Sequence, residues 1–188
     1  MEEQRGPLKG VRVIELGNTF AGPACGRMFA DFGAEVIKVE PPEGDPVRQM
    51  GNFHKGVSLQ AVSIQRGKRS IVLDLKTPQG KQVLRDLLRD ADVLIENNRP
   101  GVMERLGFGW DDVQAINPRT VMVRISGYGQ SGPNANRPGY GAICVAFSGV
   151  RELTGDPDRP PSRVALATTD YLTAVYSDFG AMMALFHR

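Results

Sequence analysis

Asp170 follows Ala167-Thr168-Thr169 and stands where a long apolar, helix-periodic segment begins. A carboxylate in the first turn of a helix is stabilised by the positive end of the macrodipole, by ~0.3–1 kcal/mol at an exposed site. On position alone the plainer role is to start the helix. A carboxylate so placed can also attack an activated acyl group and carry it as an acyl-enzyme anhydride. Other nucleophilic schemes have little material. The only histidines are His54 and His187, and neither lies in a recognisable Ser-His-Asp or Cys-His setting. No His/Cys/Asp/Glu cluster has metal-ligand spacing, so no metal is expected. No G-x-x-x-x-G-K-[ST] run occurs, which excludes a P-loop.

A second constellation lies in Ile95-Glu96-Asn97-Asn98-Arg99-Pro100-Gly101-Val102-Met103-Glu104-Arg105-Leu106-Gly107. It reads as a buried strand running into Asn side chains, a Pro-Gly turn and a short helix carrying Arg105. Open α/β sheets bind ligands beyond the carboxyl ends of their strands. Asn there can cap backbone groups or bond a ligand, and Arg there can bind a phosphate. Taken alone, a strand, a turn and a helix explain the segment equally well. Gly17, Gly22 and Gly26 follow the first strand and Glu40 ends the second, the place of an acid that holds a ribose hydroxyl. The G-x-G-x-x-G pattern is absent, so the glycines fit a turn and close helix packing as well.

The elements that must position these groups alternate. Strands are expected over 11–16, 35–40, 70–75, 92–95 and 120–125. A helix starts near Ala21-Gly22-Pro23 and stops at Gly33. Residues 47–65 read as mixed loop and short helix. Thr77-Pro78 reads as an N-cap followed by Pro at the first helical position. Val83, Leu84, Leu87, Leu88 and Ala91 then mark one helix face. A short helix spans 110–116 and Asn117-Pro118 stops it. Residues 126–141 form a Gly-rich loop of functional length. A helix follows near 143–147, then a surface connection over 151–162. Leu172, Val175, Tyr176, Phe179, Met182, Met183 and Phe186 form a stripe on the last helix that reads as core. The alternation of strand and helix predicts an α/β fold, a parallel sheet with helices on both faces.

The 188 residues suit a single domain or slightly more, and 41% apolar with 23% charged is ordinary for a globular chain. A net charge of +2 without a basic stripe argues against nucleic acid. No 18-residue apolar run predicts a membrane span, and the acidic start is a poor secretory leader. Cys25 and Cys144 suggest no disulfide framework. A cytoplasmic location is the resulting expectation.

Several segments together resemble class III coenzyme A transferases, the group with formyl-coenzyme A and carnitine coenzyme A transferases and, more distantly, α-methylacyl-coenzyme A racemases. They are residues 8–16, Ala21-Gly22-Pro23, residues 31–40, Gly67-Lys68-Arg69-Ser70, Leu73-Asp74-Leu75-Lys76, Glu96-Asn97 through Gly107, Gly127-Tyr128-Gly129-Gln130-Ser131-Gly132-Pro133 and Thr169-Asp170. The resemblance covers nearly the whole chain. It implies a coenzyme A-binding Rossmann-like domain over 1–188, the N-terminal half of a longer enzyme that forms an interlocked homodimer.

The resemblance also implies roles. Asp170 is the catalytic carboxylate. Ala21, Leu73, Lys76, Asn97, Asn98, Arg105 and Arg137 contact coenzyme A, and Tyr140 meets the substrate acid. The substrates are an acyl-coenzyme A thioester and a free carboxylic acid, with no metal or redox cofactor. Asp170 attacks the thioester and releases the thiolate, the thiolate attacks the anhydride, and the acceptor acid takes the acyl-enzyme forward. Gln65 and Asn98 depart from the residues usual in the family. A racemase of the same fold would need an acid/base pair after Gly139, where Tyr140-Gly141 stands. A non-catalytic coenzyme A-binding fragment is the reading from a different class.

Overall fold

The computed structural model describes residues 5–162 and 166–188. In chain order the elements are β1 (Arg12–Glu15), α1 (Ala21–Asp31), β2 (Glu35–Glu40), β3 (Phe53–His54), β4 (Val57–Ser58), α2 (Leu59–Gln65), β5 (Arg69–Val72), α3 (Pro78–Leu88), β6 (Val93–Glu96), α4 (Val102–Leu106), α5 (Trp110–Ile116), β7 (Val121–Arg124), α6 (Gly141–Phe147) and α7 (Thr168–His187). A 3-10 turn, Pro46–Gln49, lies between β2 and β3. Five strands form a parallel sheet in the order β5-β2-β1-β6-β7, and β3 and β4 form a separate antiparallel hairpin.

Parallel strands need crossovers, and their helices cover both faces. Val13, Val36, Val93 and Ile95 point to one side, where Ala24, Cys25 and Phe29 of α1 and Ala174 and Ala181 of α7 meet them. Ile14, Val39 and Leu94 point to the other, against Leu84 and Leu88 of α3, Met103 of α4, and Val113 of α5. The central strands β1 and β6 are buried on both faces, which is why they read as continuous apolar runs, whereas edge strand β5 is largely exposed. Thr77 caps α3 through its hydroxyl, which accepts from the Gly80 amide at 3.1 Å, and Pro78 follows it. Lys55 (φ 49°) and Gly56 (φ 79°) both take the left-handed conformation that a tight hairpin turn demands.

Two expectations from the sequence are corrected. The strand expected over 70–75 ends at Val72, because Leu73 makes one last ladder bond to the Glu40 carbonyl and Asp74 then starts the turn that caps α3. Of the stripe on α7 only Met182 packs against the core. Leu172, Val175, Tyr176, Phe179, Met183 and Phe186 are exposed, Phe186 by 91%. The face that docks is rotated one residue back and runs through Tyr171, Ala174, Asp178, Ala181 and Leu185. Two alanines let α7 approach α1 and the sheet closely, and the larger side chains face outward.

Asp178 lies in the middle of that docked face. The Cys25 thiol donates to its Oδ1 at 3.0 Å, and Oδ2 is buried without a hydrogen-bond partner. Burial lifts the carboxyl from 3.8 to about 7, and the Cys25 bond offsets part of the rise. The folded chain therefore holds a proton between pH 3.8 and about 7 that the unfolded chain releases. Stability from this group falls as pH rises through that window, and the loss is complete above it. Asp178→Asn is expected to raise the melting temperature by a few degrees at about pH 8 and by progressively less toward about pH 5. Thermal melts of both proteins across the range check this. A constant difference at all pH values would contradict it.

Candidate active site

In the order β5-β2-β1-β6-β7 the chain leaves β1 toward β2 on one side and later returns to β6 on the other. The crevice beyond the carboxyl ends of β1 and β6 is thus a topological switch point, where open α/β sheets bind ligands. A cleft of about 830 Å³ opens there. Its walls are the segment after β1 (Asn18, Thr19, Phe20, Ala21), the segment after β6 (Asn97, Asn98, Arg99, Pro100), the loop before α6 (Arg137 through Gly141), Cys144, and the first turns of α7. A second compartment of about 520 Å³ lies beside it, lined by residues 38–46 and by Leu73, Lys76, Met103 and Leu106. Asn18 and Asn98 line both compartments and form the saddle between them.

The two strand ends are tied together by one side chain. Asn97 Oδ1 accepts from the Asn18 amide at 2.7 Å, and its Nδ2 donates to the Asn18 carbonyl at 2.9 Å. Gly17 and Gly22 pass so closely that a Cβ on either would lie 2.9 Å from the other's Cα. Gly26 leaves room for the buried Glu15 carboxylate, which a Cβ there would strike. These glycines thus serve close packing. Glu40 is no free ribose acceptor. Its oxygens accept from the Asp45 amide (2.9 Å), Ser70 Oγ (2.6 Å), and Arg48 Nε and Nη2 (2.7 and 2.5 Å). The Arg48 bonds above all hold its carboxyl down to about 2.

After β6, buried Glu96 accepts from the Asn98 amide at 2.7 Å and from Arg124 Nε at 3.0 Å. Arg124 reaches on to Glu104 of α4 at 2.8 Å, so β6, β7 and α4 are locked around the Asn98 turn. Gly101, with φ 84°, takes the left-handed conformation that opens α4.

Asp170 sits in the first turn of α7 and lines the cleft. Its Oδ2, with Thr169 Oγ1, abuts Gly141 at the start of α6, where a Cβ would collide with both. Burial raises the Asp170 pKa, and the bond from its own backbone amide lowers it by less. Desolvation is thus the larger of the two effects on this carboxylate, ahead of the amide at the helix end. Cys144 is close enough for Asp170 to raise its pKa, after burial, and its thiol donates to the Gly127 carbonyl at 3.4 Å.

The structure brings Ala21, Asn97, Asn98, Arg137, Tyr140 and Asp170 to one cleft, and Leu73, Lys76 and Asn98 to the compartment beside it. Arg137 Nη1 donates to Asn134 Oδ1 at 3.4 Å, and Tyr140 is exposed at the start of α6. Arg105 lines neither compartment, and its Nη1 folds back over Gly101. His54 lies in the hairpin and His187 in the last turn of α7, both away from the cleft lining. Asn18 and Thr19 were not singled out from sequence, although a position just beyond the first strand was the available signal. Cys144 and Gly141 carried none, because their role depends on where α6 meets α7.

A family model described as CoA-transferase family III matches residues 8–188. The succinyl-CoA–D-citramalate CoA-transferase of Chloroflexus aurantiacus is 47% identical over 97% of this chain and 46% of its own length. The succinate–glutarate CoA-transferase of Agrobacterium fabrum is 42% identical over 100% of this chain and 49% of its own. In three dimensions a CAIB/BAIF family protein from Brucella suis superposes with a TM-score of 0.94 at 39% identity, over 98% of this chain and 50% of that one. The chain spans about half the length of the curated relatives it matches.

Proposed function

Because this chain belongs to CoA-transferase family III, we propose that its cleft serves transfer of coenzyme A from an acyl thioester to a free carboxylic acid. The observation that carries the proposal is a half-buried carboxylate, Asp170, at a helix start inside the switch-point cleft. Asp170 attacks the thioester carbonyl and expels the thiolate, leaving a mixed anhydride. The thiolate attacks the aspartyl carbonyl, the donor acid leaves, and an aspartyl thioester forms. The acceptor carboxylate displaces the thiolate to give a second anhydride. The thiolate then attacks the acceptor's acyl carbon and frees Asp170. Each step exchanges one carboxylate or thiolate for another, so no general base is required. That agrees with a cleft whose lining contains no histidine.

Coenzyme A fits the two joined compartments as an elongated ligand, with its nucleotide end toward Leu73 and Lys76 and its thiol toward Asp170. Asn97, Asn98, Ala21 and Arg137 border the path, and Tyr140 faces the acceptor. Arg99 and Arg137 both line the cleft, and two arginines there suit an acceptor with a second carboxylate. The relatives named for citramalate and glutarate agree with a dicarboxylic acceptor. Tyr140 and Gly141 offer no acid/base pair for racemase chemistry. The exposed stripe on α7 is where a C-terminal half and an interlocked second subunit would cover apolar surface. No described helix is long and apolar enough to cross a membrane.

The test is to incubate the full-length protein with acyl-coenzyme A thioesters and a panel of mono- and dicarboxylic acids, following thioester exchange by mass. Exchange selective for a dicarboxylic acceptor is expected. Thioester loss by hydrolysis alone, independent of the acid supplied, would overturn the reading.

The two compartments also give a binding prediction. Lys76→Ala is expected to weaken coenzyme A binding about tenfold and to flatten its salt dependence, the scale of one lost charge-assisted phosphate contact. Arg105→Ala is expected to do less, because its guanidinium is turned away from both compartments. Titrations at two ionic strengths decide between them. A larger loss from Arg105→Ala would mean that α4, and not Lys76, holds the nucleotide end.

A further inference from the structure

Thr19 has φ 64°, a left-handed conformation that a β-branched residue adopts only when its surroundings impose it. It follows Asn18 in the saddle between the two compartments and itself lines the cleft. Bonds to this turn from three side chains impose the conformation. The Thr19 amide donates to Asp45 Oδ1 at 2.9 Å. The residue before it is held on both backbone groups by Asn97, and the Gly17 carbonyl accepts from Lys38 Nζ.

Asp45 is suited to hold that turn rigidly. It is 2% exposed, and its carboxylate is saturated. Oδ1 also accepts from the Val47 amide at 2.9 Å, capping the 3-10 turn. Oδ2 accepts from Gln65 Nε2 at 3.1 Å and pairs with Lys38 Nζ at 2.9 Å. Lys38 in turn pairs with buried Glu15 at 3.1 Å, and Lys68 pairs with Glu15 at 2.6 Å. One carboxylate thus joins β2, the 3-10 turn, α2 and the segment after β1. With two lysines facing two carboxylates, the buried cluster is balanced in charge, the condition under which buried ions are tolerated.

We propose that Asp45 is a positioning residue: by holding the Thr19 amide it keeps the strained Asn18-Thr19 turn as the saddle that sets where coenzyme A crosses between the compartments. The role rests on the coenzyme A reading above, and Asp45 acts through Thr19. The turn relaxes without its anchor, because nothing else described bonds the Thr19 amide.

A double-mutant cycle tests this on the full-length protein. Asp45→Ala is expected to weaken coenzyme A binding about tenfold, the scale set by one left-handed non-glycine residue. In a Thr19→Gly background the same replacement is expected to cost about threefold or less, because glycine holds φ above zero without help. A merely structural role for Asp45 would give equal losses in both backgrounds and would overturn the proposal. If Asp45→Ala does not fold, Thr19→Pro against Thr19→Gly replaces it. Proline fixes φ near −65° and has no amide to donate, so it is expected to weaken binding about tenfold or more relative to glycine. Equal affinities would overturn the proposal. Backbone chemical shifts of residues 17–21 read the turn without ligand. They are expected to move in Asp45→Ala and to stay near the Thr19→Gly values in the double variant. Shifts that do not move in Asp45→Ala overturn the inference. Shifts that respond as expected in a protein that fails to bind coenzyme A uphold the positioning role and overturn the coenzyme A reading alone.

Discussion

Asp170→Asn and Asp170→Ala are each expected to lower turnover of the full-length protein by about 10⁴-fold or more while leaving coenzyme A affinity within about threefold. The carboxylate would be the covalent carrier, so no neighbour can replace it. Removing a group that acts only in the chemical steps lowers kcat without loosening the ground state. Hydroxylamine added during turnover is expected to modify Asp170 and no other carboxylate. The acid limb of the rate profile follows from burial, which raises the Asp170 pKa. As pH falls through that raised value the nucleophile is protonated, so activity declines at a higher pH than an exposed aspartate would give. Substantial turnover by a folded Asp170→Ala protein would end the covalent mechanism.

Gly141→Ala is expected to lower kcat by about 10²-fold, with little loss of coenzyme A binding. A methyl group at 141 would collide with Asp170 Oδ2 and Thr169 Oγ1. Both obstacles are side-chain ends, so the helices need not separate, and the carboxylate turns away from its place in the cleft instead. Displacement by about 1 Å is enough for a loss of that size. A folded Gly141→Ala protein with native kcat, or a crystal structure with Asp170 unmoved, would show that the contact between α6 and α7 does not set the geometry.

Some of this architecture was written in local residue choices. β2 over Glu35–Glu40 and α5 over Trp110–Ile116 fall where apolar runs and flanking breakers put them, and the Thr77-Pro78 start of α3 is a local signal with a local cause. The docked face of α7 was not legible. Its stripe of large apolar residues is longer and more regular than the row of Ala174, Asp178 and Ala181 that meets α1. Periodicity reports where apolar residues lie, and not which face another element will cover. In the site, Asp170 and the Asn97-Asn98 pair could be singled out because a helix start and a strand end are visible in a chain. The hold of Asp45 on Thr19 could not, since it joins residues 26 positions apart through one backbone amide.

The paired bonds between Asn18 and Asn97 span 79 positions. The central strand β1 borders the cleft, yet its partner β6 lies far downstream, with β2 and β5 made in between. During synthesis β1 therefore stays a bare edge on one side until residue 96 has emerged, and an unpaired edge invites other chains. Closing so long a loop carries an entropy cost before any ladder bond repays it. The candidate crevice is thus among the later parts of this sheet to exist, formed by the same event that seals the open side of β1.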